Sequence, residues 1–219
     1  MKHFKLILKY FSENKQIMNN LSDNDREAFW RDGFFILRNF VDIEKCVELR
    51  NIAEEHLFDR RGPIEYEVDL QYPGSPRDVD AEGGATSRRL LQAFARHKKF
   101  RYWAQAEQVV AILSKLFDSA EISLTQSHHN CVMTKQPGYS SDTGWHQDNR
   151  YWSFCEENLI TVWLALGAEE IQNGCLRVIK GSHRQRFHQD SFDEAQFLRT
   201  DLAENRRLVD KSMPVELAI

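Results

Sequence analysis

Residues 144–152, GWHQDNRYW, hold the side chains best suited to chemistry. They follow a Pro-Gly turn and read as the opening of a strand. Side chains two apart on an extended chain face the same way, so His146 and Asp148 would aim an imidazole and a carboxylate at one point. That pair supplies two members of the 2-His-1-carboxylate arrangement, which grips Fe(II) on one face and leaves the opposite positions open. Spacing alone is a weak signal. With 8 His and 33 Asp+Glu in 219 residues, chance gives about one His-x-acid pair, and the chain carries a second at His188 and Asp190. Context separates them. The first pair lies among Trp145, Tyr151 and Trp152, which could wall a pocket. The second lies in a polar run, KGSHRQRFHQDSFDEA, that reads as an exposed loop.

The elements that must position this pair follow from periodicity. Ser22 opens a helix with Asp23 and Asp25 in its first turn, and Gly33 ends it. Residues 34–40, FFILRNF, read as a short buried strand. Asp42 caps a second helix running to Phe58, with Ile43, Cys46, Val47, Leu49, Ile52, Ala53 and Leu57 recurring every three or four residues. Residues 59–87 are rich in Pro, Gly and charge and read as a long irregular loop, a candidate lid. From Arg88 to Phe117 the helical period returns, on two helices. Beyond Asp118 the texture is of strands: residues 121–134, 159–166 and 175–179, with turns at 136–144 and 172–174. Helices first and strands after predict an α+β domain, its helices buttressing a β-sandwich or barrel.

Bulk properties narrow the class. The chain is 42% hydrophobic and 28% charged, with 14 Phe, 6 Tyr and 5 Trp, a globular balance suited to aromatic pockets. A net charge of −4 gives no basic face for nucleic acid. Lys5 and Lys9 interrupt the apolar start, and no stretch approaches the roughly 20 apolar residues of a membrane span. Cys46, Cys131, Cys155 and Cys175 have neither CxxC pairing nor zinc spacing and read as reduced thiols of a cytoplasmic protein.

Four segments together resemble the phytanoyl-CoA dioxygenase family. They are FWRDGFFILRNF at 29–40, WHQD followed by YW, TVWLAL at 161–166, and NGCLRVIKGSH at 173–183, where Lys180 stands in place of the family's usual proline. The resemblance implies a double-stranded β-helix (jelly-roll, cupin-like) core, with Fe(2+) and 2-oxoglutarate as cofactors and with O₂ and a small organic molecule as partners. By the same resemblance His146 and Asp148 are metal ligands. QSHHN at 126–130 looks like the strand preceding the metal motif in the ectoine hydroxylase branch, making Asn130 a co-substrate contact and Gln126 substrate-facing. Trp152 is similar to a substrate-side aromatic, and Trp163 lies where family members place a tryptophan near 2-oxoglutarate; core packing is its alternative. His128 and His129 are expected to be strand residues without catalytic duty, and His183 a turn residue.

The family's third ligand is a histidine after a Gly-Asp turn, with a 2-oxoglutarate-binding arginine beyond it. Neither is found, and Arg206 and Arg207 precede that point. The chain thus reads as a single oxygenase domain over 1–219, helical over 22–117 and β over 121–219, truncated at its C-terminus. His183 or His188 as third ligand is one alternative. A catalytically inactive or non-oxidative, cupin-like metal-binding protein is another.

Overall fold

Ser22 and Asp25 start the first helix reciprocally. The Asp25 amide donates to Ser22 Oγ at 3.2 Å, and the Ser22 amide donates to Asp25 Oδ2 at 3.1 Å, a capping box. Gly33 closes this helix, α1 (Asp23–Asp32), at φ 84°, its N–H donating to Phe29 O at 2.8 Å. A side chain here would face two obstacles. The left-handed conformation disfavours it, and a Cβ would fall 2.1 Å from His183 Nδ1.

The computed structural model describes the backbone of residues 2–10, and residues 21–126, 130–155 and 158–217. These fall into two compact units, Met1–Ile43 with Gly144–Ile219, and Glu44–Thr143. In the first, β1 (Lys2–Tyr10) pairs in parallel with β2 (Phe34–Val41) on one side and β6 (Asn158–Leu164) on the other. A short antiparallel pair, β7 (Arg177–Val178) with β8 (Met213–Pro214), and helix α6 (Ala203–Val209) complete it. Its core gathers Ala165, Val215 and Leu217, with Phe34, Ile36, Trp163, Leu176 and Val178 packed against them.

In the second unit, α2 (Ile43–Phe58) buries Cys46, Leu49, Ala53 and His56, one stripe at helical spacing. An antiparallel sheet has β4 (Ser87–Leu91) between β3 (Ile64–Tyr66) and β5 (Cys131–Met133). Helices α3 (Ala93–Arg96), α4 (Lys98–Ala104) and α5 (Glu107–Phe117) follow β4.

Several sequence expectations are corrected. Residues 87–91 are a strand, because Arg88 and Leu90 alternate inward and both neighbours supply ladder partners; tertiary pairing overrides the helical spacing of Leu90, Leu91 and Phe94. Among the described residues of the expected strand over 121–134, only the three that face β4 are strand. Strands thus lie in the first half of the chain, and α6 in the second. The loop at 59–87 is partly anchored: Arg96 donates to the carbonyls of Arg61 and Pro63. The described strands form two three-stranded sheets and one two-stranded sheet, and the architecture is mixed helix and strand. No helix of the described residues is long and apolar enough to cross a membrane. All four cysteines are free, Cys46 buried and Cys155 exposed, and burial pushes the Cys131 thiol up to about 11.

Arg88 and Glu67 are both fully buried and face each other at 3.6 Å. Glu67 Oε2 also accepts from the Ser141 amide at 3.1 Å and hydroxyl at 2.7 Å. Burial alone would raise the Glu67 carboxyl. The hydrogen bonds from Ser141 and Ser140 and the charge of Arg88 outweigh it and hold the carboxyl below its usual 4.5. A depressed carboxyl contributes stability that is present above the unfolded value and lost as pH falls through the folded one. Urea midpoints of the wild type are therefore expected to drop as pH falls below about 4.5, the ordinary carboxyl value. Glu67→Gln is expected to flatten that dependence and, by leaving Arg88 buried without its partner charge, to cost about 3 kcal/mol at pH 7.

Candidate metal centre

His146 and Asp148 are not on a strand. The chain is extended through Gln147 (φ −110°, ψ 122°) and then coils into a 3₁₀ turn over Asp148–Tyr151. The turn closes through Arg150 N–H to Gln147 O at 3.0 Å and Trp152 N–H to Asn149 O at 3.3 Å. The extended residue preserves what the strand reading required. Gln147 turns its side chain away, its amide donating to Ser182 O at 3.1 Å and Gln185 O at 3.3 Å. His146 and Asp148 project the other way and meet, Nε2 to Oδ1, at 3.1 Å.

The chemistry of this contact follows from the other ring nitrogen. His146 Nδ1 lies 2.7 Å from Gly144 O. A carbonyl can only accept, so Nδ1 carries the proton and Nε2 of the neutral ring presents a lone pair. That lone pair faces a carboxylate oxygen, and two acceptors stay this close only with a cation or a second ring proton between them. A divalent ion bound octahedrally at about 2.1 Å sets adjacent ligand atoms roughly 3 Å apart, which is the separation found. The donor set therefore fits a metal such as Fe(II): imidazole and carboxylate, with the distal ring nitrogen anchored on a backbone carbonyl. Asp148 is 8% exposed. Beside it Asn149 is equally buried, and both atoms of its amide lack a hydrogen-bond partner among the described residues.

The pair opens onto a cleft of about 140 Å³. Its walls include Phe34, Trp145, Phe187, Phe192 and Leu198, with Arg177 contributing a cation. Phe197 presses on His146 from one side, ring centroids 5.9 Å apart, and Tyr151 meets it edge-on at 5.7 Å. Gly144 has no side chain because Phe197 occupies the space: a Cβ there would lie 2.5 Å from the ring.

The other expected site residues are placed as follows. Trp145 lines the cleft. Trp152 packs edge-to-face on Phe154 at 5.9 Å. The Trp163 indole N–H donates to Glu169 Oε1 at 2.8 Å, and its ring packs on the Ala165–Val215–Leu217 core. Asn130 and Gln126 belong to the second unit. Asn130 Oδ1 accepts from the Phe94 amide at 2.9 Å, and Gln126 is exposed. His128 and His129 lie outside the described residues. His183 lines the same cleft as the metal pair but spends Nε2 on Trp30 O at 3.1 Å, while His188 and Asp190 are exposed. Among the described residues no third His, Cys, Asp or Glu joins His146 and Asp148 closely enough to complete a metal-binding group. Sequence reasoning missed the roles of Gly144 and Gln147. For Gly144 alone there was a local signal, a glycine two residues before the histidine.

The family model described as Phytanoyl-CoA dioxygenase (PhyH) matches residues 29–218. Among curated proteins, the peroxisomal phytanoyl-CoA dioxygenase of Rattus norvegicus is 28% identical over 178 residues. The match covers 76% of this chain and 48% of the rat protein, so the chain spans about half the length of that relative. No solved structure matches significantly.

Gly144→Ala is expected to force Phe197 or the 144 carbonyl aside. It should lower stability by about 1–3 kcal/mol and, through the loosened His146 ring, weaken Co(II) binding about tenfold or more in calorimetric titration. Adding Phe197→Ala to make room should recover part of the metal affinity.

Proposed function

Because the chain belongs to the phytanoyl-CoA dioxygenase family, whose dioxygenases depend on Fe(II) and 2-oxoglutarate, we propose that it hydroxylates a small organic substrate in the cleft beside His146 and Asp148. The observation that carries this reading is the convergence of His146 Nε2 and Asp148 Oδ1 at 3.1 Å with Nδ1 fixed on Gly144 O. In this reading the bound Fe(II) and 2-oxoglutarate supply oxidative decarboxylation to succinate and CO₂, coupled to insertion of an oxygen atom from O₂ into a substrate C–H bond.

The chain's own residues supply the rest. His146 and Asp148 hold the ion from one side, leaving the remaining positions to a third protein ligand, co-substrate and O₂. The Gly144 carbonyl fixes the imidazole tautomer and plane. Phe34, Trp145, Phe187, Phe192 and Leu198 present an apolar surface against which one C–H bond would be held toward the ion. Family position supports Asn130 and Trp163 as co-substrate contacts; Trp163 would then offer its ring face, since its N–H is engaged by Glu169. Gln126 and Trp152 are proposed on the same ground as substrate-facing. Family membership also supports a cupin-like jelly roll as the underlying fold. Four free thiols suit a reducing compartment, with the cytoplasm as the sequence expectation; the rat relative is named as peroxisomal.

Under anaerobic conditions, Fe(II) with 2-oxoglutarate is expected to give a visible charge-transfer band with the wild type and none with His146→Ala or Asp148→Ala. A band that survives both substitutions would overturn the site. Metal retention without any 2-oxoglutarate band would favour a non-oxidative metal protein instead.

A further inference from the structure

Arg150 lies two residues beyond Asp148, and nothing said so far gives it a role. Its NH2 donates to Gln189 Oε1 and to Gln196 Oε1, each at 2.9 Å. Its Cζ sits 3.4 Å from the centroid of the Phe192 ring, well within cation–π range. Its Nε is buried and has no hydrogen-bond partner among the described residues, so the two glutamines and the ring are what hold the guanidinium.

Those contacts all fall on one segment, residues 189–197, which is fastened to the metal turn at other points too. Tyr151 OH donates to Ala195 O at 2.8 Å. The Leu198 amide, one residue on, donates to Trp145 O at 2.6 Å. Within the segment, Phe197 N–H donates to Asp193 Oδ1 at 2.8 Å, and Asn205 Nδ2 donates to Ser191 O and Arg199 O. The segment also supplies cleft wall: Phe192 and the adjoining Leu198 face the cleft, and Phe197 packs on His146. One cation therefore ties the turn bearing Asp148 to the wall against which a substrate would lie.

We propose that Arg150 is a positioning residue that clamps the 189–197 wall segment onto the 148–151 turn, so that the apolar wall and the metal pair keep one fixed geometry and an occupant pressing on Phe192 is felt at Asp148. The proposal rests on the metal reading of His146 and Asp148 for its spectroscopic consequence, and on the hydrogen bonds and the Phe192 contact for its mechanical one.

The test uses the full chain with Arg150→Met, which keeps bulk but removes charge and donors, and with Arg150→Lys, which keeps the charge over Phe192. Two readouts are taken: amide hydrogen exchange resolved to peptides, and the ligand-field spectrum of Co(II) titrated into the protein. With Met, exchange is expected to speed up about tenfold or more in residues 145–152 and 189–199 together, with α5 in the other unit unchanged. The Co(II) spectrum is expected to change shape, and Lys to restore both readouts in part. Unchanged exchange, or faster exchange in only one of the two segments, would overturn the clamp. Coupled loosening with a Co(II) spectrum identical to the wild type would overturn the positioning role. If the wild type takes up no Co(II) while the two segments still loosen together, the mechanical clamp stands and the metal reading falls. If Met prevents folding, Lys decides: wild-type exchange in both segments with a wild-type spectrum would overturn the proposal.

Discussion

A single hydrogen bond, from His146 Nδ1–H to the carbonyl of Gly144 two residues earlier, decides what the rest of the site can do. It fixes which ring nitrogen carries the proton, and so which one faces Asp148. Without it the ring could rotate or switch tautomer, and Nε2 would no longer be held with its lone pair toward the carboxylate. The surrounding structure is arranged so that this bond can form. Gly144 must lack a side chain because Phe197 fills that space. Gln147 must be extended and tied to the 182–185 turn, so that its two neighbours point into the cleft. The 182–185 turn is itself placed by α1. Arg184 NH2 reaches Arg31 O at 3.1 Å, His183 reaches Trp30 O, and Gly181 N–H reaches Asp32 O at 2.8 Å. The α1–β2 corner thus supports the turn that holds Gln147, which gives a physical reason for the 29–40 and 144–152 segments, more than a hundred residues apart, to occur in one chain.

The second unit is built on a different constraint. Burying Arg88 and Glu67 removes two charges from water, at a cost that attraction offsets only when the remaining donors and acceptors are well placed. Ser141 and Thr143 provide those partners and draw residues 141–143 onto β4. These residues lead directly into Gly144.

How much of this the sequence made legible depends on the distance over which each feature is determined. Helix α1 could be read to the residue because its start and stop are local: a serine and an aspartate three apart, then a glycine. The buried stripe of α2 and the strand β2 were equally local. His146 and Asp148 meet as their two-apart spacing required, although the expected strand proved to be one extended residue followed by a 3₁₀ turn. Strand β4 was not legible, since an arginine at an inward position makes sense only once Glu67, far back in a loop, is known to face it. The clamp at Arg150 was hidden for the same reason, its partners lying 39 and 46 residues away. Trp163 sits in a locally recognisable motif, but the engagement of its N–H by Glu169 and the packing of its ring on the core depend on residues outside that motif.

In the proposed site His146 holds its proton on Nδ1 and offers Nε2, with Asp148, to a divalent ion. Two-bond ¹H–¹⁵N correlation spectra of the ¹⁵N-labelled chain, recorded before and after adding diamagnetic Zn(II) and assigned through His146→Gln, test it most directly. The account predicts a His146 ring with Nδ1 protonated whose Nε2 resonance alone moves to a metal-bound position, a shift lost in Asp148→Asn. An Nε2-protonated ring, or a His146 spectrum indifferent to the ion, would contradict it.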